Sequence, residues 1–201
     1  SLATINMVAY EGGVAFNRIS KIIDAPVKII NDKKLPGLVI KKSEINFENV
    51  SFRYLANNEK AINDINFKID GGSMAAFVGH SGAGKSTILN LLPRFYDPQQ
   101  GSIEIDGQNI SKINLNSLRK YISLVSQDIV LFDDTVKKNI AYAKPNATDR
   151  EILEACKFAA ADEFIEKLPQ KFDTLIGENG TRLSGGQKQR ISIARAVLKK
   201  S

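Results

Sequence analysis

The stretch S73-M-A-A-F-V-G-H-S-G-A-G-K-S-T-I-L-N-L-L92 sets the frame for the whole chain. It opens on a short, nearly unbroken apolar run over 73–79, the pattern of a strand buried on both faces. A glycine loop follows and opens a helical pattern that Pro93 stops. Gly79-His80-Ser81-Gly82-Ala83-Gly84-Lys85-Ser86 satisfies G-x-x-x-x-G-K-[ST] with the strand-before, helix-after context the motif requires, and Thr87 continues it. Glycines let successive backbone N–H groups curl around phosphate oxygens without Cβ clashes. A helix starting at Gly84 aims its positive end at the same charge. In this loop chemistry Lys85 neutralises the β- and γ-phosphates and Ser86 offers a hydroxyl to Mg²⁺. His80 occupies an unspecified position of the pattern, so a tolerated loop residue is the simpler reading beside a phosphate contact.

Working outward, the period changes on either side of this loop. "INFENVSFRYL" (45–55) alternates, with Val50, Phe52 and Tyr54 on one face, and "INDINFKID" (62–70) does the same through Ile65, Phe67 and Ile69. "GSIEIDG" (101–107) reads as a strand ending in a turn, and "LRKYISLVSQD" (118–128) holds another that ends at Gln127. Helical patterns then dominate over 135–143, 148–160, 161–168 and 184–200, the second capped by Thr148 with Glu151 three residues on. Strands first, βα alternation later and a helical insert indicate an α/β fold with a predominantly parallel core. Before all this, residues 1–24 place Leu2, Ile5, Val8, Ala9, Phe16, Ile19, Ile22 and Ile23 at helical spacing. Pro26 and the basic stretch "NDKKLPGLVIKKS" (31–43) read as a linker, with a domain boundary near residue 40.

Composition bounds the partners. Among 201 residues, 43% are hydrophobic and 25% charged, ordinary globular values, and Lys+Arg exceed Asp+Glu by 28 to 22, a net charge of +6. That balance suits nucleotide, nucleic acid or an anionic membrane surface, and equally a plainly solvated surface. One cysteine, Cys156 in a helical pattern, excludes an internal disulfide framework. One histidine leaves no His/Cys metal cluster to build. No apolar run approaches the ~20 residues of a membrane helix, and the N-terminus does not read as a signal peptide.

The end of the chain supplies a second motif. "LSGGQ" (183–187) offers Ser184 as an N-cap, while Gly185 and Gly186 leave backbone amides open at a helix start. With the phosphate loop upstream, residues 45–201 resemble the nucleotide-binding domain of ABC transporters, whose own signature is "LSGGQ". The resemblance implies a P-loop fold of ABC type: a parallel core sheet, an antiparallel β subdomain and a helical subdomain. It implies ATP and Mg²⁺ as ligands, and no nucleic acid. Tyr54 matches the aromatic that stacks on adenine, though a core tyrosine on the Val50/Phe52 face is the other reading of that residue. Residues 79–87 match the phosphate loop. Gln127 matches the glutamine that reaches Mg²⁺ and the attacking water. Ser184, Gly185, Gly186 and Gln187 match the segment that binds the γ-phosphate of ATP held by a second nucleotide-binding domain, in a head-to-tail dimer.

"LLPRFYDPQQGSIEIDG" (91–107) and "TLIGENG" (174–180) look like exporters that fuse membrane and nucleotide domains in one polypeptide. In that group Glu178 and the Phe95/Tyr96 region face the membrane domain. Residues 1–40 then fit the cytoplasmic end of the last membrane helix plus a basic linker, and 41–201 a partial nucleotide-binding domain at the inner face of the cell membrane. The family's second acidic motif, four apolar residues then Asp-Glu, lies beyond the helix that follows "LSGGQ", as do further core strands; residues 1–201 stop short of both. The fragment alone is therefore expected to turn over ATP poorly, which keeps a non-hydrolysing ATP-binding or dimerisation module open as the alternative. "IVLFDD" (129–134) has the texture of the missing motif, but Asp133 and Asp134 before Thr135 read better as a helix cap.

Overall fold

A computed structural model describes residues 2–54 and 60–199. The side chains of residues 2–5 and 9 lie outside the described set, and with them Leu2, Ile5 and Ala9 of the N-terminal apolar stripe. The elements run α1 (Leu2–Ile23), β1 (Ile45–Phe52), β2 (Ile62–Ile69), α2 (Lys85–Leu91), β3 (Gln100–Ile105), β4 (Gln108–Asn109), α3 (Leu115–Lys120), α4 (Val136–Ala141), α5 (Asp149–Phe158), α6 (Asp162–Ile165) and α7 (Gly185–Lys199). The capping box expected for α5 is present: Thr148 Oγ1 accepts from the Glu151 N–H, and Glu151 Oε2 accepts from the Thr148 N–H at 2.9 Å.

Two apolar clusters organise the chain. The first lies under the sheet, where Phe47, Val50, Phe52, Ile62, Leu91, Ile103 and Leu118 are buried. The sheet has the order β2-β1-β3-β4, and every pairing is antiparallel. In β1 the alternation breaks at Asn49, which takes φ +49°, and the register with β2 shifts between Phe47 and Val50. That bulge is how Phe47 and Val50, an odd number of residues apart, both reach the core. The second cluster is helical: Leu131, Val136, Ile140, Ile152, Cys156, Ile165, Ile176, Ile191 and Leu198 knit α4, α5, α6 and α7 together. Inside it, Asn139 and Arg195 tie α4 to α7 through a guanidinium bond of 2.7 Å to Asn139 Oδ1.

The antiparallel and helical subdomains match the expectation. The parallel core does not form among the described residues, and this corrects the strands expected at 73–79 and before Gln127. Neither run is a strand among the described residues, and Met74 and Val78, expected inside, are 98% and 91% exposed. An apolar run becomes a buried strand only when neighbours satisfy its backbone and cover both faces, and local sequence cannot supply either.

The linker is not loose. The Asp106 carboxylate, at the end of β3, accepts from the backbone N–H groups of Lys41, Lys42, Ser43 and Glu44 at 2.6, 3.1, 3.2 and 2.9 Å. Those amides, Lys41 foremost, hold its acid constant down at about 2. Gln108 brackets Val39, accepting from its N–H at 3.1 Å and donating to its carbonyl at 2.6 Å. Asn31 Oδ1 accepts from the Leu115 N–H at 3.1 Å, so attachment begins well before residue 40. Helix α1, by contrast, presents Tyr10, Phe16, Ile19, Ile22 and Ile23 to solvent, and no helix among the described residues is long and apolar enough to cross a membrane.

Candidate functional site

The phosphate loop 79–84 spans the gap between the exposed run and α2. Gly82 and Gly84 both take φ +83°, a left-handed conformation that glycine adopts without strain. At Gly84 a Cβ would also lie 2.5 Å from the Ala61 carbonyl oxygen, so glycine is fixed there by backbone shape and by space. Gly84 caps α2 without a side-chain hydrogen bond, which leaves the first amides of the helix directed into the loop. Lys85 Nζ crosses the loop and donates to the carbonyls of Gly79 and His80 at 2.8 and 2.7 Å. An ammonium has three donors, so one N–H remains for an anion after both are made. His80 turns its Nδ1 to the Ser81 carbonyl, 2.8 Å away, which spends that nitrogen on the loop.

The cleft beside this loop has a volume of about 460 Å³. The structure lines it with Tyr54, Ser81, Gly82, Ala83, Gly84, Lys85, Ser86, Thr87 and Gln127, bringing together residues up to 73 positions apart in the chain. Gly79 and His80 sit behind it and contribute carbonyls rather than lining. Tyr54 donates its hydroxyl to Thr87 Oγ1 at 3.2 Å, and its ring meets Phe52 and Tyr96 edge-on at 4.8 and 5.1 Å. It is therefore neither fully buried nor free. Lys60 and Ala61 also line the cleft. The sequence reading missed both, because a lysine ahead of β2 belongs to no motif and only the fold carries it to the loop.

Ser184, Gly185, Gly186 and Gln187 form no part of that cleft. They open α7 with a reciprocal cap: Ser184 Oγ accepts from the Gln187 N–H at 3.3 Å, and Gln187 Oε1 accepts from the Ser184 N–H at 2.9 Å. The two glycines face open space. A Cβ on either would meet nothing within 4 Å, and neither has a left-handed φ. The chain's own packing does not require glycine there. The cap of α4 is Thr135, whose Oγ1 accepts from the Lys138 N–H at 3.2 Å, and Asp134 stands one residue before it rather than serving as the cap. Its carboxylate accepts from the Thr135 N–H at 2.8 Å and pairs with Lys138 at 3.1 Å, contacts that lower its acid constant. Cys156 is fully buried, and desolvation, followed by the nearby Asp162 charge, pushes its thiol up to about 12.

With this geometry in view, the comparison with known proteins is decisive. A family model described as ABC transporter matches residues 62–201. The chain belongs to the ABC transporter family. Membership implies ATP binding, normally with Mg²⁺. This ABC transporter chain is 46% identical, over 99% of its length, to an ATP-dependent lipid A-core flippase of Legionella pneumophila (strain Paris), and covers 33% of that protein. It is 50% identical over 90% of its length to a Staphylococcus aureus protein, provisionally named a multidrug export ATP-binding/permease protein, of which it covers 31%. A solved bacterial Atm1-family ABC exporter with ATP bound superposes with a TM-score of 0.88 at 41% identity, over 98% of this chain and 34% of that one. The chain thus spans about a third of the length of the relatives it matches.

Proposed function

We propose that this chain is the ATP-binding portion of an ABC exporter, working at the cytoplasmic face of a membrane in a head-to-tail pair of nucleotide-binding domains. The observation that carries the reading is the convergence of Tyr54, the 81–87 loop and Gln127 on one cleft. Backbone amides of the loop and the remaining N–H of Lys85 hold the triphosphate, and the Tyr54 ring offers a face to the adenine. Lys60 adds a second ammonium to the same cleft. The donor set fits Mg²⁺: Ser86 and Gln127 provide neutral oxygens on the cleft wall, and this ion takes few protein ligands when phosphates and waters complete its shell. When bound it supplies charge neutralisation at the phosphates.

The signature segment acts on the partner's nucleotide. Its two glycines meet open space, so a phosphate can approach the α7 amides closely while Ser184 and Gln187 hold the helix start rigid. No carboxylate stands among the described residues lining the cleft. Glu178, exposed after Ile176, and the partly exposed Phe95 and Tyr96 provide the surface toward the membrane domain. Residues 1–40 continue from that domain, and 41–201 form the nucleotide-binding part.

Nucleotide binding and turnover measured separately test this. Lys85→Ala is expected to lower ATP affinity roughly ten- to hundredfold, the scale of losing a charged hydrogen bond. Residues 1–201 are expected to bind ATP but to hydrolyse it far more slowly than the complete transporter. Equal ATP affinity of the wild type and Lys85→Ala would overturn the assignment of the cleft.

A further inference from the structure

Tyr54 is the last described residue before residues 55–59, two positions past the end of β1, a place where a side chain ordinarily samples several rotamers. Here its ring is boxed. Phe52, 3% exposed, meets it edge-on at 4.8 Å, Tyr96 meets it edge-on from another side at 5.1 Å, and its hydroxyl is anchored to buried Thr87. Tyr96 also touches Phe52, at 5.4 Å, so the three rings close on one another. The backbones carrying these rings are cross-tied as well. Gln99 accepts from the Arg53 N–H at 2.7 Å, donates to the Arg53 carbonyl at 2.9 Å, and gives its own N–H to the Ser51 carbonyl at 3.0 Å. The turn bearing Tyr96 is pinned from behind. Arg94 takes φ +51° and pairs with Asp97 through two bonds of 2.8 and 2.9 Å, while Arg119 donates to the carbonyls of Pro93 and Arg94, each at 2.8 Å.

From this we infer that Tyr96 is a positioning residue for base recognition: it holds the Tyr54 ring in the orientation in which it lines the cleft and meets the adenine. The inference rests on the proposed role of Tyr54. The physical reason is preorganisation. A ring that must be ordered on binding costs affinity, whereas one already held by edge contacts does not. Perpendicular packing suits the task because it fixes the tilt of Tyr54 while the residue still lines the cleft. Tyr96 is itself 41% exposed and makes no contact in the cleft, so its effect on the nucleotide passes through Tyr54. The ring, not the hydroxyl, does this.

The experiment measures ATP and inorganic tripolyphosphate affinities in the complete transporter containing this chain, for Tyr54→Ala, Tyr96→Ala, Tyr96→Phe and the Tyr54→Ala/Tyr96→Ala pair. Tyr96→Ala is expected to weaken ATP about three- to tenfold, the size of one aromatic edge contact, and to leave tripolyphosphate unchanged. Tyr96→Phe should stay within about twofold of the wild type, and Tyr96→Ala should add nothing once Tyr54 is gone. If Tyr54→Ala leaves ATP affinity intact, the base-stacking reading fails. If Tyr54→Ala weakens ATP and Tyr96→Ala does not, the positioning inference alone fails. An equal loss for ATP and tripolyphosphate in Tyr96→Ala would make Tyr96 a fold residue and overturn it too.

Discussion

Replacing Asn139 by alanine should loosen the helix that presents the signature segment, and the size of the effect follows from its contacts. Asn139 is 1% exposed on α4. Its Oδ1 accepts from the Phe132 N–H at 2.9 Å and from Arg195 Nη2 at 2.7 Å, and its Nδ2 donates to the carbonyls of Phe132 and Thr135, each at 3.0 Å. Alanine removes all four while Arg195, whose acid constant burial already lowers, stays in place with one donor stranded. The Thr135 carbonyl still accepts the Asn139 backbone N–H at 3.0 Å, so losing its side-chain bond costs little, and two neutral bonds to the Phe132 backbone at about 1 kcal/mol each with a charge-assisted one at about 2 give a loss near 4 kcal/mol. The better helix propensity of alanine returns roughly 0.5 kcal/mol. Arg195 keeps its bonds to the carbonyls of Asn139 and Val130, at 2.6 and 2.7 Å, so the helices separate only in part. A net destabilisation of about 3 kcal/mol corresponds to on the order of a hundredfold in an opening equilibrium. Amide hydrogen exchange in the complete transporter reads it directly: protection in α4 and the middle of α7 should fall by about that factor while β1 stays unchanged. A drop smaller than about threefold, or an equal drop in β1, would refute the view that this knot locally holds α7 to the helical subdomain.

Other consequences can be measured independently. Gly84→Ala should cost about 3 kcal/mol, combining a left-handed backbone with a 2.5 Å approach to the Ala61 carbonyl. Gly82→Ala, with the same φ but open space around it, should cost only about 1 kcal/mol, and equal melting shifts for the two would show that space at Gly84 is irrelevant. Asp106 is held at about 2, below its ordinary 3.8, so its contribution to holding the linker is complete above the ordinary value and is lost as acid lowers the pH through about 2. Exchange of the 41–44 amides should therefore accelerate, beyond its intrinsic pH dependence, between about pH 4 and pH 2 in the wild type and show no such step in Asp106→Ala. Cys156, buried with its thiol pushed up to about 12, should resist thiol reagents at pH 8 until denaturant is added; prompt labelling of the native protein would contradict the packing of α5.

How much of this was legible in the sequence depended on whether each feature is local. The phosphate loop, the Thr148–Glu151 box and the Ser184–Gln187 cap could be read directly because each is complete within a few residues, with glycine φ or a capping oxygen as its whole physics. The runs at 73–79 and 121–127 could not be settled that way. Their apolar texture was plain, yet strand formation depends on neighbours that the texture does not name, and Met74 and Val78 remain exposed. The bulge at Asn49 escaped for a related reason, since a strict two-residue alternation has no term for an inserted residue.

By itself the sequence determined the family, the phosphate-loop motif and the helix starts after Thr148 and Ser184, because motifs and caps act through bonds spanning three or four residues. Only the tertiary structure decided that Lys60 shares a cleft with the loop, that Asp106 fastens a linker more than 60 residues away, and that Tyr96 stands against Tyr54. Those are encounters between side chains far apart in the chain. Loop closure and packing of the two apolar clusters bring them together, and no local pattern carries that information.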